Sequence, residues 1–422
     1  MNNVIRSMYL FVFVMFISTH CVSGGGLPKA KPEEVGLSSK RLERVNALMD
    51  RYVEENKISG AVTLVARHGK TAHLEAHGKM SIEDNKPMQT DTIFRIASMT
   101  KAFTSVAAMM LYEEGYFLLT DPVSQVIPEF KDLKVLVPAP KSYEHAAASG
   151  YAIVPAKRAM TVRHLLNHTS GLTSTLWQRP HINEMYSTTL GGERTMGEMV
   201  KKLATLPLHH HPGDAFEYGH STNVLGYYVE VISGMTLAEF FQQRICEPLG
   251  LDDTFFYVPD EKVDRVASLY KPESDGSLAP GKTGYRGSQT YFSGAGGLFS
   301  TIGDYARFLQ MLLNGGELDN IRLLSRKSVE LMTTNSIGEL YSTWPQLHGD
   351  KFGLGFGIRI ERGRFDDIES IGTYSWGGIF NTIFYVDPKE DMVCIFMNQL
   401  FPQDHLTIRR QFRVLAFQAI DD

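Results

Sequence analysis

Segments that read as paired strands lie near both ends of the chain, and that placement constrains the fold more than any other feature. Ala61-Val62-Thr63-Leu64-Val65-Ala66 and Thr71-Ala72-His73-Leu74-Glu75-Ala76 flank His68-Gly69, the pattern of a hairpin. Asn381 to Val386 and Met392 to Met397 form a second pair around Asp387-Pro388. Helical periodicity borders both pairs. Leu42, Val45, Leu48, Met49 and Tyr52 precede the first, and Phe412, Leu415 and Ala416 mark a helix across 405–420 after the second. Between them lie helical patterns over 162–167, 196–206, 224–232, 237–245 and 304–313. These elements predict an α/β (α+β) fold: one antiparallel sheet built from both chain ends, flanked by helices, with a mostly helical lobe inserted. The α/β lobe spans about 30–95 and 285–422 and the helical lobe about 96–284, with the active site expected between them. Residues 133–160, rich in Pro, Ala, Lys and Ser, read as a surface loop or lid.

The chain has 422 residues, 43% hydrophobic and 21% charged, as expected of a soluble protein with a sizeable core. A formal charge of −5 gives no reason to expect nucleic acid or an anionic membrane surface as a partner. At the N-terminus, Arg6 precedes an apolar run over 8–17, and small residues follow at 23–26. That layout predicts a signal peptide over 1–26, a mature domain over 27–422, a secreted or periplasmic location and no stable membrane span. An uncleaved anchor is the alternative. Cys21 follows His20, where a lipoprotein signal would carry a small residue. Cys246 and Cys394 read as small core residues, so stability should not depend on a bridge.

Chemistry enters with Ser98-Met99-Thr100-Lys101 at the head of an amphipathic pattern through Phe103, Val106, Ala107, Met110 and Leu111. Groups three residues apart share a helix face, so an amine can draw the proton from a hydroxyl there. A helix cap beside a solvated lysine is the bland reading. A second match, Ser268 to Lys271, precedes a run rich in Pro, Gly and Ser and reads as an irregular loop. Tyr218, in a turn before a helix, is a proton-relay candidate or else a turn-anchoring aromatic. Ser375-Trp376-Gly377-Gly378-Ile379 precedes a strand. Paired glycines permit close backbone approach, and the amide after them can face an oxyanion, although a β-bulge explains them equally.

Together these three motifs resemble the serine β-lactamase and penicillin-binding protein superfamily, most of all class C β-lactamases and family VIII carboxylesterases. The resemblance runs from Lys31-Pro32-Glu33-Glu34-Val35-Gly36-Leu37 through Leu165 to Leu172 and Gly294 to Thr301 to the last helix. It implies a β-lactamase-like fold, Ser98 as acylated nucleophile, Lys101 as base and Tyr218 as the Y-x-N tyrosine. Trp376-Gly377-Gly378 takes the place of K-T-G, with oxyanion amides from Ser98 and Ile379. Two departures stand out: His220 replaces the asparagine of Y-x-N, and Trp376 replaces the lysine of K-T-G. Losing that cation removes a charge-assisted hydrogen bond of roughly 1.5–3 kcal/mol to an anionic substrate. W-G-G is common in family VIII esterases, and an aromatic wall suits an uncharged group.

Remaining signals are weaker. His164 and His168 are four apart, but no third ligand or H-E-x-x-H is present, so no metal site is expected. His209-His210-His211 read as a surface loop near the cleft. Gly219 to Asn223 half-matches a nucleophile elbow, and Gly294 to Gly297 is a turn rather than a phosphate loop. The expectation is a cofactor-free serine hydrolase acting on a small-molecule ester or amide. Its rivals are a β-lactamase or D-Ala-D-Ala peptidase, and a non-catalytic penicillin-binding-like module.

Overall fold

The N-terminal hairpin forms where alternating apolar residues meet a turn that tolerates left-handed backbone. Strands Gly60–Arg67 and Lys70–Ser81 pair antiparallel, and His68 and Gly69 take φ values of 54° and 71° between them. These coordinates are a computed structural model; the structure describes residues 25–138, 150–175, 180–281, 289–340, 350–361 and 368–422. The expected signal segment therefore lies almost wholly outside the described residues, as does Cys21.

Eight strands form one antiparallel sheet in the order Asp350–Phe352, Gly357–Arg359, Tyr374–Gly378, Thr382–Asp387, Met392–Met397, Gly60–Arg67, Lys70–Ser81 and Lys86–Pro87. The two ends of the chain meet at its centre, with Val62 opposite Met397 and Arg67 opposite Met392. Asn398 donates to the Gly60 carbonyl at 2.6 Å and locks the seam.

Because side chains alternate across a strand, the central strands feed two cores. Ala61, Val65, Tyr385, Cys394 and Phe396 pack beneath the helices Ser39–Glu54 and Ile408–Phe417. Val62, Leu64, Phe384, Ile395 and Met397 face the helix Ile302–Leu313 and the helical region beyond it. Phe384 meets Tyr305 at 5.5 Å, and Phe103 stacks on Phe308 at 3.9 Å between ring centroids. Cys246 and Cys394 are both free and buried, as core residues.

Three expectations need correction. The helix Thr100–Glu113 is not amphipathic: every residue from Thr100 to Leu111 is buried, because helices Ile302–Leu313 and Ser221–Ser233 enclose it. Residues 133–160 are not simply a loop, since Lys134–Pro138 pairs with Tyr151–Pro155; positions 139–149 lie outside the described residues. The β-branched Val135, Val137, Ile153 and Val154 outweigh the Pro and Lys around them. Tyr270–Pro272 is likewise a strand, paired with Leu278–Pro280, rather than part of an irregular loop.

Near the sheet edge, buried Glu369 accepts from Arg359 at 2.8 Å and Arg413 at 3.0 Å. Removing the carboxylate would take the shared acceptor from both buried guanidinium groups, leaving Arg359 with Asp350 at 3.0 Å. Glu369→Leu is expected to cost about 3–5 kcal/mol in chemical denaturation; an unchanged midpoint would show that the cluster adds no net stability.

Candidate active site

Ser98 is delivered by a tight turn. Strand Phe94–Arg95 pairs with Phe299–Ser300, and Ile96 N–H donates to the Leu298 carbonyl at 3.1 Å. Ala97 then takes φ 44°, a left-handed conformation costing an L-residue about 1–2 kcal/mol. A single 3-10 turn, Ala97–Met99, leads into the helix Thr100–Glu113.

Lys101 lies one helical turn on, only 4% exposed. Its Nζ is 3.2 Å from Ser98 Oγ, donates to the Ala295 carbonyl at 2.7 Å, and sits 4.6 Å from the centroid of the Tyr218 ring. The Gly294–Gly297 turn supplies that carbonyl and is itself fixed. Thr104 Oγ1 donates to Gly294 O at 2.7 Å, and Ala295 N–H donates to Asn223 Oδ1 at 3.1 Å. A Cβ at Gly294 would fall 2.9 Å from Thr222 O, so the turn can approach the helix Ser221–Ser233 only as glycine.

Tyr218 reaches the cleft because Gly219 presses against Leu172, where a Cβ would lie 2.3 Å from the carbonyl oxygen. Trp376 Nε1 donates to the Tyr218 hydroxyl at 3.4 Å, and the two rings lie 5.3 Å apart. Trp376 also meets Phe352 edge-on at 5.1 Å. It is thus a buried wall that holds the tyrosine. Gly378 ends the strand beside the nucleophile turn, where a Cβ would stand 2.4 Å from Ile96 O. Gly377 lies before it opposite Ile383, and Ile379 follows in the connecting turn.

His220 precedes the helix Ser221–Ser233, stacks on Tyr186 at 6.2 Å, and takes a hydrogen bond on Nδ1 from Asn223 Nδ2 at 3.2 Å. Burial, helped by the charge of Lys101, lowers its pKa to about 4, so the ring is neutral at pH 7. The same causes hold buried His168 well below the ordinary histidine range. Its ring packs 4.9 Å from that of Tyr218.

Ser98, Lys101, Tyr218 and Trp376 therefore form a continuous set of contacts, and other sequence signals separate from it. His164 Nδ1 accepts from Thr161 N–H at 3.1 Å as part of a helix cap, and no metal-binding cluster occurs among the described residues. The three consecutive histidines are not a surface loop. His211 is buried, and His209 N–H donates to Gly171 O at 2.8 Å, because the segment packs against the turn after His168. Ser221 is buried against Ser170 at 2.7 Å, so the half-elbow is not a nucleophile. Ser268 lies outside any helix and Lys271 in the strand Tyr270–Pro272, so the two share no helix face, and Lys271 pairs with Glu273 at 2.7 Å.

Sequence reasoning missed Ala295 and Asn223. A backbone carbonyl leaves no side-chain signature, but Asn223 stands one turn after His220, a spacing that could have drawn notice. The assembled site offers a hydroxyl next to an amine, a phenol beside the same amine, and backbone amides at a helix start.

Comparison with known proteins bears on the chain as a whole. The Beta-lactamase family model matches residues 45–417. Protein Rv1367c of Mycobacterium tuberculosis (strain ATCC 25618 / H37Rv) is 34% identical over 355 residues, covering 82% of this chain and 86% of that protein. Esterase EstB of Burkholderia gladioli is 27% identical over 374 residues, covering 82% and 86%. The solved structure of EstCE1, a hydrolase with promiscuous acyltransferase activity, superposes with a TM-score of 0.75 at 25% identity, covering 91% of this chain and 99% of that one. The resemblance drawn from three short motifs thus extends across the fold, and the chain belongs to the Beta-lactamase family.

Proposed function

We propose that this chain is a serine hydrolase that cleaves carboxylic esters through an acyl-enzyme on Ser98. The observation that carries the reading is the position of Lys101 Nζ, within 3.2 Å of Ser98 Oγ and against the Tyr218 ring. Lys101 takes the Ser98 proton through its unprotonated form while Oγ attacks the ester carbonyl. The tetrahedral oxyanion sits between the Ser98 and Ile379 amides. Tyr218 gives its hydroxyl proton to the departing alkoxide and regains one from Lys101. The acyl-enzyme remains, and water, activated by the same pair, releases the acid. Each proton is returned, and no cofactor takes part.

Trp376 supports an uncharged substrate: its indole occupies the position of the family's cationic anchor and is engaged with the Tyr218 hydroxyl. The names of EstB and EstCE1 favour the same class. Because EstCE1 is described as also transferring acyl groups, assays should include an alcohol acceptor beside water. The proposed export to the periplasm or medium rests on the apolar N-terminal run, and N-terminal sequencing of the mature protein tests it.

Purified protein is expected to turn over short p-nitrophenyl esters much faster than nitrocefin, with both activities and the covalent acyl mass absent in Ser98→Ala. Dominant nitrocefin turnover would move the chain to the β-lactamases. A stable adduct that never hydrolyses would favour a binding module. Lys101→Ala should slow acylation by about 10²–10⁴-fold in single-turnover kinetics; a rate near wild type would remove its role as base. Trp376→Lys is expected to lower ester turnover and raise hydrolysis of anionic β-lactams. If β-lactam turnover does not rise, other walls set the substrate class.

A further inference from the structure

His220 stands where the motif ordinarily has asparagine, and its surroundings settle the polarity of its ring. Asn223 Oδ1 accepts the Ala295 backbone N–H at 3.1 Å and the Ser293 hydroxyl at 2.9 Å. A backbone N–H can only donate, so the amide oxygen is fixed on that side. The Asn223 NH2 group must then face His220 Nδ1, at 3.2 Å. Nδ1 is consequently the unprotonated nitrogen, and the neutral ring carries its proton on Nε2. One ring face lies against Tyr186, Nδ1 is engaged by Asn223, and the residue keeps partial exposure, so Nε2 is the ring nitrogen left to meet a ligand. Nε2 has no hydrogen-bond partner among the described residues.

We propose that Asn223 fixes His220 as a one-way donor, with Nε2–H directed into the cleft, so that the site favours substrates carrying an oxygen acceptor there and disfavours those presenting an N–H. An asparagine side chain offers a donor and an acceptor together and accommodates both. A ring locked in one tautomer offers only the donor, and an opposing N–H would be desolvated without a partner. The distinction thus lies in a residue that does not itself meet the substrate: Asn223 acts through His220, as a positioning residue. It also holds Ala295, the acceptor of Lys101, so the same amide orients the base and the donor. This inference rests on the ester-cleaving reading for its substrate arm but not for its tautomer arm.

The first test is a long-range proton–nitrogen correlation spectrum of ¹⁵N-histidine-labelled full-length protein at pH 8, with His220→Phe identifying the signal. The expected wild-type state carries the proton on Nε2. Asn223→Asp keeps an acceptor for Ala295 and Ser293 but turns a second acceptor toward the ring, so the proton should move to Nδ1. A wild-type proton already on Nδ1 would overturn the lock, whatever the activity.

The second test compares kcat/KM for butyl butanoate, butyl methoxyacetate and 2-methoxyethyl butanoate, which exchange one methylene for an ether oxygen on either side of the ester. For one of the two oxygen esters, the ratio to butyl butanoate should fall about ten-fold in His220→Phe and in Asn223→Asp at a pH where the ring is neutral. If neither ratio moves, the selectivity is wrong even where the tautomer is as expected. Absence of Ser98-dependent turnover on all three would refute the ester reading, and the spectrum would still decide the lock.

Discussion

An amine taken out of water must find acceptors inside the protein, and the arrangement of this active site follows from how that demand is met for Lys101. One hydrogen bond goes to the Ala295 carbonyl, Ser98 Oγ is its second polar neighbour, and the Tyr218 ring lies beside it. Meeting those three groups requires three parts of the chain to converge: the nucleophile helix, the turn before helix Ser221–Ser233, and the Gly294–Gly297 turn. Each is tied to another by a bond that does not involve Lys101, as Thr104 is to Gly294 and Asn223 to Ala295. Lys101 is therefore positioned by a framework rather than by its own contacts alone.

The same group sets the electrostatic character of its surroundings. His168 and His220 are both held neutral by burial, with the charge of Lys101 adding to the effect. Trp376 brings an indole N–H and an apolar ring beside Tyr218. What results is a site with one amine, a phenol and neutral rings.

Much of this was legible in the sequence because the elements concerned have strong local signatures. The His68-Gly69 hairpin announces itself by alternation and turn chemistry, and Ser98, Lys101, Tyr218 and Trp376 sit in motifs of fixed order. What was not legible depends on packing between distant segments. The all-round burial of helix Thr100–Glu113 comes from neighbours more than a hundred residues away, so its own pattern looks one-sided. The three histidines near 210 read as solvent-facing because their polarity was judged without the turn at Gly171 that covers them. Ala295 contributes only a carbonyl, which every residue possesses.

The seam at the centre of the sheet has a consequence for how the chain is made. Strand Gly60–Arg67 finds one neighbour at once, in Lys70–Ser81, but its other neighbour, Met392–Met397, lies far along the chain. The bond from Asn398 to Gly60 closes 338 residues of chain. Until translation reaches that point, a strand that is buried along its whole length in the finished fold keeps an open edge of N–H and C=O groups, ready to pair with any other extended segment. The helix Ile408–Phe417, which covers the outer face of the same strands, arrives later still. Completion of the core thus waits on a segment far along the chain, and until it arrives this edge must be kept from pairing elsewhere.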